Sequence, residues 1–228
     1  MKANRKLSKY DNCCCCGEDA DDDLEDVCVL GNEIYFYTDV SEISVMWLNK
    51  TIRKLERELI TQTSECGANS APEIKLYINS PGGDMFAGMS ALDHVASSKL
   101  KITTIADGMC ASAATFILLG GHRRMIKQHA HVLIHQLSTN GFWGKFEDLK
   151  DEMKSCKKFM DMIRSIYGDK CDIPDKKMES MMKKDIYLDA EECLKFKIVD
   201  EVLGGRPVKK TQKKVKKRQR TDDSSDEE

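Results

Sequence analysis

Apolar positions along this 228-residue chain fall into two alternating rhythms after a polar opening of 26 residues. Residues 33–37 (EIYFY) predict a strand. Leu48, Ile52, Leu55 and Leu59 then recur at spacings of 4, 3 and 4, one face of a helix, with Ser41 as its N-cap. Residues 64–72 (SECGANSAP) read as a loop, and 74–78 (IKLYI) as a strand running into Asn79-Ser80-Pro81-Gly82-Gly83. A helix carrying Phe86, Met89, Leu92 and Val95 follows. Residues 101–106 are a β-branched strand, ended by Gly108 and followed by a small-residue helix over 112–119. Short strands are expected at 124–127 and 132–135. After a glycine loop at 141–144 comes the longest helix, 146–167, with Phe146, Leu149, Met153, Cys156, Met160, Ile163 and Tyr167 on its apolar side. Asp189 and Glu192 form a capping box for a last helix, and 198–203 closes as a strand. Strand-then-helix repetition predicts an α/β domain with largely parallel strands.

With 41% hydrophobic residues the chain has enough apolar surface for a real core. The net charge of -2 argues against a surface that coats nucleic acid, but it sums segregated blocks. Residues 209–220 (KKTQKKVKKRQR) hold eight bases and no acid, and 222–228 (DDSSDEE) hold five acids and no base. Without residues 206–228, which carry nine bases and five acids, the remainder has 27 bases against 33 acids, a charge of about -6. Three segments are therefore expected: a disordered, cysteine-containing lead (1–26), a folded domain (27–203), and a disordered basic-then-acidic tail (204–228). The most apolar stretch, 111–119, is too short for a bilayer, and the N-terminus lacks a secretory signal. The expected location is cytoplasmic, with nuclear targeting by the basic tail as an option. Six scattered cysteines read as free thiols. The contiguous run Cys13–Cys16 has poor geometry for mononuclear zinc, and no metal site is expected.

Two glycine-bearing turns offer chemistry. Gly82-Gly83 joins a strand to a helix, where backbone N–H groups can face a ligand; it also reads as a plain tight turn. The second is Gly108-Met109-Cys110-Ala111-Ser112-Ala113. There a serine begins a helix, whose N-terminal N–H groups favour an alkoxide or oxyanion; it also reads as an N-cap packed among alanines. His135 ends an apolar strand and faces a polar loop, a suitable place for a general base. Asp107, Asp185 and Asp189 are the candidate orienting acids, and spacing does not choose among them.

The order strand–NSPGG–helix, strand–GMCAS–helix, then Leu133-Ile134-His135-Gln136, resembles the Clp family of serine endopeptidases (ClpP-like) over about residues 27–203. That resemblance implies the family's α/β crotonase-like fold of stacked β-α turns, with a protruding handle helix and strand. It places Ser112 as nucleophile, His135 as base and Asp185, before Leu188-Asp189-Ala190-Glu191, as the third member. Gly83 and Ala113 would supply the oxyanion N–H groups. Gly82, Asp84, Met85, Leu137 and Ser138 would contact substrate. The helix over 146–167 would be the handle, and residues 137–144 the strand on which peptide adds. The family builds two stacked seven-membered rings, receives unfolded polypeptide from a partner AAA+ ATPase, and needs no metal or organic cofactor at its peptidase site. Two departures stand out. Leu137 replaces the usual proline, and the N-terminal lead does not resemble the family's pore loops.

Two other readings compete. One is an acyl-thioester enzyme on the same scaffold, which needs no serine nucleophile; the other is a non-catalytic ring scaffold. The joint presence of Ser112, His135 and Asp185 argues against both. Ser224 and Ser225, among acids, resemble acidophilic kinase sites.

Overall fold

The computed structural model describes residues 27–66, 72–139 and 141–204; the Cys13–Cys16 run and the charged tail lie outside them. Strands β1 (Val27–Leu30) and β2 (Glu33–Phe36) form a hairpin and lead into helix α1 (Glu42–Cys66). Ser41 caps α1 as expected, its Oγ accepting the Ser44 N–H at 3.1 Å. Strand β3 (Glu73–Ser80), helix α2 (Met85–Ala96), strand β4 (Lys101–Ala111) and helix α3 (Ala114–Leu119) follow. Next come β5 (Arg123–Lys127), β6 (His131–Ile134), α4 (Phe146–Lys170), α5 (Asp175–Lys183), β7 (Ile186–Leu188), α6 (Ala190–Lys195) and β8 (Glu201–Leu203). One sheet runs β1-β2-β3-β4-β5-β8, while β6 branches from β4 and carries β7. Every pairing from β2 onward is parallel except β6 with β7, so the expected α/β class holds.

Strand β4 positions the site. Its first half, Thr103–Ala106, pairs with β5; its second half, Met109–Ala111, pairs with β6. The change occurs at Gly108, where the sequence predicts a turn. The chain instead stays extended and bulges against β3, with φ 98° at Gly108. A Cβ there would lie 2.8 Å from Asn79 Oδ1, the same oxygen that accepts the Met109 N–H at 3.0 Å. Glycine thus lets Asn79 replace the ladder bond lost at the bulge.

The core lies between this sheet and α1, α2 and α3, and α3 is buried along its whole length. Helix α2 corrects the hydrophobic reading. Phe86 is 56% exposed, and the buried face is Ala87, Gly88, Ala91 and Val95. Small residues are needed because a Cβ on Gly88 would come 2.8 Å from the Ala113 carbonyl. Helix α4 buries Ile163 and Tyr167 toward its C-terminal end, but leaves Phe146 69% and Met153 63% exposed. It is the handle expected from the resemblance. The segment over 137–144 forms no strand among its described residues. An extended segment without a neighbour has no ladder to hold it. Strands β1 and β7 and helix α5 were not foreseen.

Candidate active site

Ser112 does not begin a helix. It is an elbow between the end of β4 and the start of α3, with φ 53°, a left-handed conformation uncommon outside glycine. Its N–H donates to Leu133 O at 2.8 Å on β6. Its carbonyl accepts the Thr115 N–H at 3.0 Å and the Thr115 hydroxyl at 2.6 Å. Gly82 makes room for the elbow, since a Cβ there would come 2.6 Å from both Ala111 O and Ser112 Cβ. Ser112 remains partly exposed.

Strand register brings the two residues expected to complete a triad, His135 and Asp185, toward the elbow. Parallel pairing of Ala111 with Leu133 sets the elbow beside the end of β6, where His135 follows Ile134. Antiparallel pairing of Ile134 with Ile186 brings the next residues outward on each strand, His135 and Asp185, opposite one another. His135 is half-buried and Asp185 exposed. Among the described residues no hydrogen bond yet joins Ser112 Oγ, the imidazole and this carboxylate; such bonds commonly tighten only around bound substrate.

The rival acids are engaged elsewhere. Asp107 accepts from Tyr37 OH and from Lys127 Nζ at 2.8 Å, and burial together with the bond to Asp107 pushes the Tyr37 phenol up. Asp189 caps α6 by accepting the Glu192 N–H at 2.8 Å. Cys110, two residues from Ser112, is not a competing nucleophile. Burial, with Cys193 nearby, pushes its thiol up, so it stays protonated.

Val40 orders the turn that carries Gly83. Its N–H donates to Gly82 O at 2.8 Å and its carbonyl accepts the Asp84 N–H at 2.7 Å. These bonds bracket Gly83 and turn its N–H away from Val40. A Cβ on Gly83 would lie 2.2 Å from Val40 O, which excludes every other residue. Among the described residues neither the Gly83 nor the Ala113 N–H has an acceptor, and a Cβ on Gly82 would lie 3.1 Å from Ala113 N. Two free donors thus flank the serine elbow, the arrangement that stabilises a tetrahedral oxyanion.

The remaining sequence candidates divide. Gly82 is buried against the elbow. The Asp84 carboxylate accepts the Ala87 N–H at 2.6 Å as the N-cap of α2, and Met85 is the first residue of that helix. The Leu137 N–H points at Met160 Sδ, 3.1 Å away on α4, and Ser138 is exposed. A groove of about 810 Å³ between α1 and α2 includes Asp84 and Phe86 in its wall but none of Ser112, His135 and Asp185. Val40, Leu133, Thr115 and Tyr167 escaped the sequence reading. The first two act through backbone atoms, which carry no side-chain signal; the last two read as ordinary helix residues.

Comparison with known proteins bears on the family and the fold. The Clp protease family model matches residues 35–206. An ATP-dependent Clp protease proteolytic subunit of Deinococcus radiodurans is 34% identical over 137 residues, covering 59% of this chain and 67% of that one. The subunit of the same description from Chara vulgaris is 34% identical over 138 residues, covering 60% and 63%. Among solved structures, a mutant of ClpP1 from Listeria monocytogenes superposes with a TM-score of 0.64 at 20% identity, covering 77% of this chain and 93% of that one. At that identity the likeness speaks for the ClpP-type crotonase-like fold. With three quarters of its length matched by the family model, the chain belongs to the Clp protease family.

Proposed function

We propose that this chain is a Clp-type proteolytic subunit that hydrolyses peptide bonds of unfolded polypeptide with Ser112, His135 and Asp185. One observation supports the assignment: a serine in a left-handed elbow, beside two free N–H donors, lies at the end of the strand ladder that also carries His135 and Asp185. Ser112 Oγ attacks the scissile carbonyl as His135 takes its proton. The oxyanion is held by Gly83 and Ala113 N–H, and Asp185 steadies the imidazolium. His135 then protonates the leaving amine, and water activated by the same imidazole releases the acyl group.

Assembly is part of the proposal. Trp143, 94% exposed, with Phe146 and Met153 gives the handle an apolar surface suited to a second copy of the chain. Stacked rings, seven subunits to each and fed by an AAA+ unfoldase, follow from the family. Among the described residues no helix is long and apolar enough to cross a membrane, and the proposed location is cytoplasmic.

A fluorophosphonate probe tests the chemistry. It is expected to label Ser112, and Ser112→Ala is expected to abolish both labelling and peptide cleavage. Cleavage surviving in Ser112→Ala would remove the serine mechanism. Acyl-thioester turnover surviving there would favour the thioester reading.

A further inference from the structure

Ser112 and Ala113 share a peptide unit. Because that unit is planar and trans, the Ser112 carbonyl and the Ala113 N–H point in opposite directions and turn together. Fixing the carbonyl therefore aims the N–H. Thr115 fixes it twice, through its own N–H at 3.0 Å and its hydroxyl at 2.6 Å. A carbonyl cannot donate, so the single hydroxyl proton of Thr115 is committed to Ser112. The Thr115 oxygen also meets Tyr167 OH at 2.5 Å, and in that contact it must be the acceptor. The direction is thus set: Tyr167 O–H donates to Thr115 Oγ1, which donates to Ser112 O.

The Thr115–Tyr167 link is sheltered from water. Thr115 is fully buried and Tyr167 is 2% exposed, its ring 5.9 Å from that of Phe116. Burial pushes the Tyr167 phenol up, so its proton stays in place. Ser112 needs such support, because a non-glycine residue at φ 53° tends to relax unless its surroundings hold it.

We propose that Thr115 and Tyr167 are positioning residues that lock the Ser112–Ala113 peptide plane and so aim the Ala113 N–H at the oxyanion. The inference rests on Ser112 being the nucleophile. It adds a role for the end of α4: the handle helix reaches the oxyanion hole through one phenol. Neither residue touches substrate in this scheme, so their loss should appear in the transition state and spare ground-state binding.

The test compares Thr115→Val, Tyr167→Phe and Thr115→Ser in the full-length assembled protein, with a fluorogenic peptide and with a peptide boronate that forms a tetrahedral adduct. Complete removal of an oxyanion donor lowers kcat by about 10²- to 10³-fold, and misorientation should cost less. Thr115→Val is expected to lower kcat by about 10- to 100-fold and Tyr167→Phe by about 3- to 10-fold, with KM within about twofold. Boronate affinity should fall in step with kcat, and Thr115→Ser, which keeps the hydroxyl, should recover most of the rate. Should Thr115→Val fail to fold, Tyr167→Phe decides, since it keeps the ring against Phe116. Unchanged kcat in a folded Tyr167→Phe overturns the proposal. So do parallel changes in kcat and KM, or a Thr115→Ser as impaired as Thr115→Val. Ser112→Ala separates the two claims. If it still cleaves, the nucleophile assignment fails; if it is dead while Thr115→Val and Tyr167→Phe match the parent, only the positioning role fails.

Discussion

Gly82→Ala should cut activity about 10²-fold by displacing Ser112, the proposed nucleophile. Gly82 has φ 95°, where an L-residue is strained by about 1–3 kcal/mol. The added methyl would also sit 2.6 Å from Ala111 O and from Ser112 Cβ, whereas ordinary contact begins at 3.4 Å. Neither neighbour is the end of a flexible side chain, so one backbone must retreat by about 1 Å. Overpacking of that kind destabilises by about 1–3 kcal/mol, for a combined loss of about 2–6 kcal/mol. A nucleophile misplaced by about 1 Å loses about 10²-fold in rate. Gly31→Ala is the control. Gly31 also has positive φ, 61°, but nothing lies within 4 Å of a Cβ there. It should lose only about 1–2 kcal/mol from strain and keep full activity. Urea midpoints measure stability, while peptide cleavage and the rate of fluorophosphonate labelling measure the elbow. A Gly82→Ala protein that labels Ser112 at the parent rate would refute the reasoning. So would a Gly31→Ala that loses activity equally, since strain alone would then explain the effect.

Glu56 is buried, yet it accepts from Ser98 Oγ at 2.5 Å, Lys99 N–H at 2.7 Å and Arg53 Nη1 at 3.2 Å. Burial alone would raise its pKa, but these donors outweigh it and hold the carboxyl below its ordinary 4.5. Its contribution is therefore present above about pH 4.5 and lost as pH falls through the lower folded value. Glu56→Gln should lose about 1–3 kcal/mol at neutral pH, and its deficit should shrink in acid; urea midpoints at about pH 7 and pH 3 check this. A deficit independent of pH would contradict the linkage. Gly168 lies in the last turns of α4 with open space around a Cβ. Gly168→Ala should stabilise by about 0.5–1 kcal/mol, seen as a higher melting temperature with cleavage unchanged.

The long amphipathic elements were legible because period and burial agree there. Leu48, Ile52 and Leu55 of α1 are all buried, as their spacing says. Helix α2 was legible as a helix but not in its orientation. Close approach to Ala113 selects Gly88, flanked on the buried face by Ala87 and Ala91, and the larger Phe86 faces outward onto Phe159, 5.2 Å away ring to ring. Strand β7, three residues long, has no period to read and exists because β6 offers it an edge. Taken alone, Ser112 reads more readily as an N-cap, and spacing does not choose among Asp107, Asp185 and Asp189; Ser112, His135 and Asp185 were named through family resemblance. What joins them is register between strands more than 20 residues apart in sequence, which no local pattern encodes.

The bulge at Gly108 explains why that register makes a site. A straight β4 would present its whole length to β5, and β6 would have no edge to join. By bending where Asn79 replaces the missing partner, β4 lends its last three residues to β6, and β6 in turn recruits β7. Ser112, His135 and Asp185, the proposed nucleophile, base and acid, thus lie along a small secondary ladder, while Gly82 and Gly83 follow the end of β3 in the main sheet. One proposed oxyanion donor comes from each side of that divide: Ala113 follows the branch ladder, and Gly83 is fixed by Val40. Their spacing is therefore set by the bend in β4. It is also why Gly82, whose missing side chain lets the two parts meet, is a position where a single methyl should be costly.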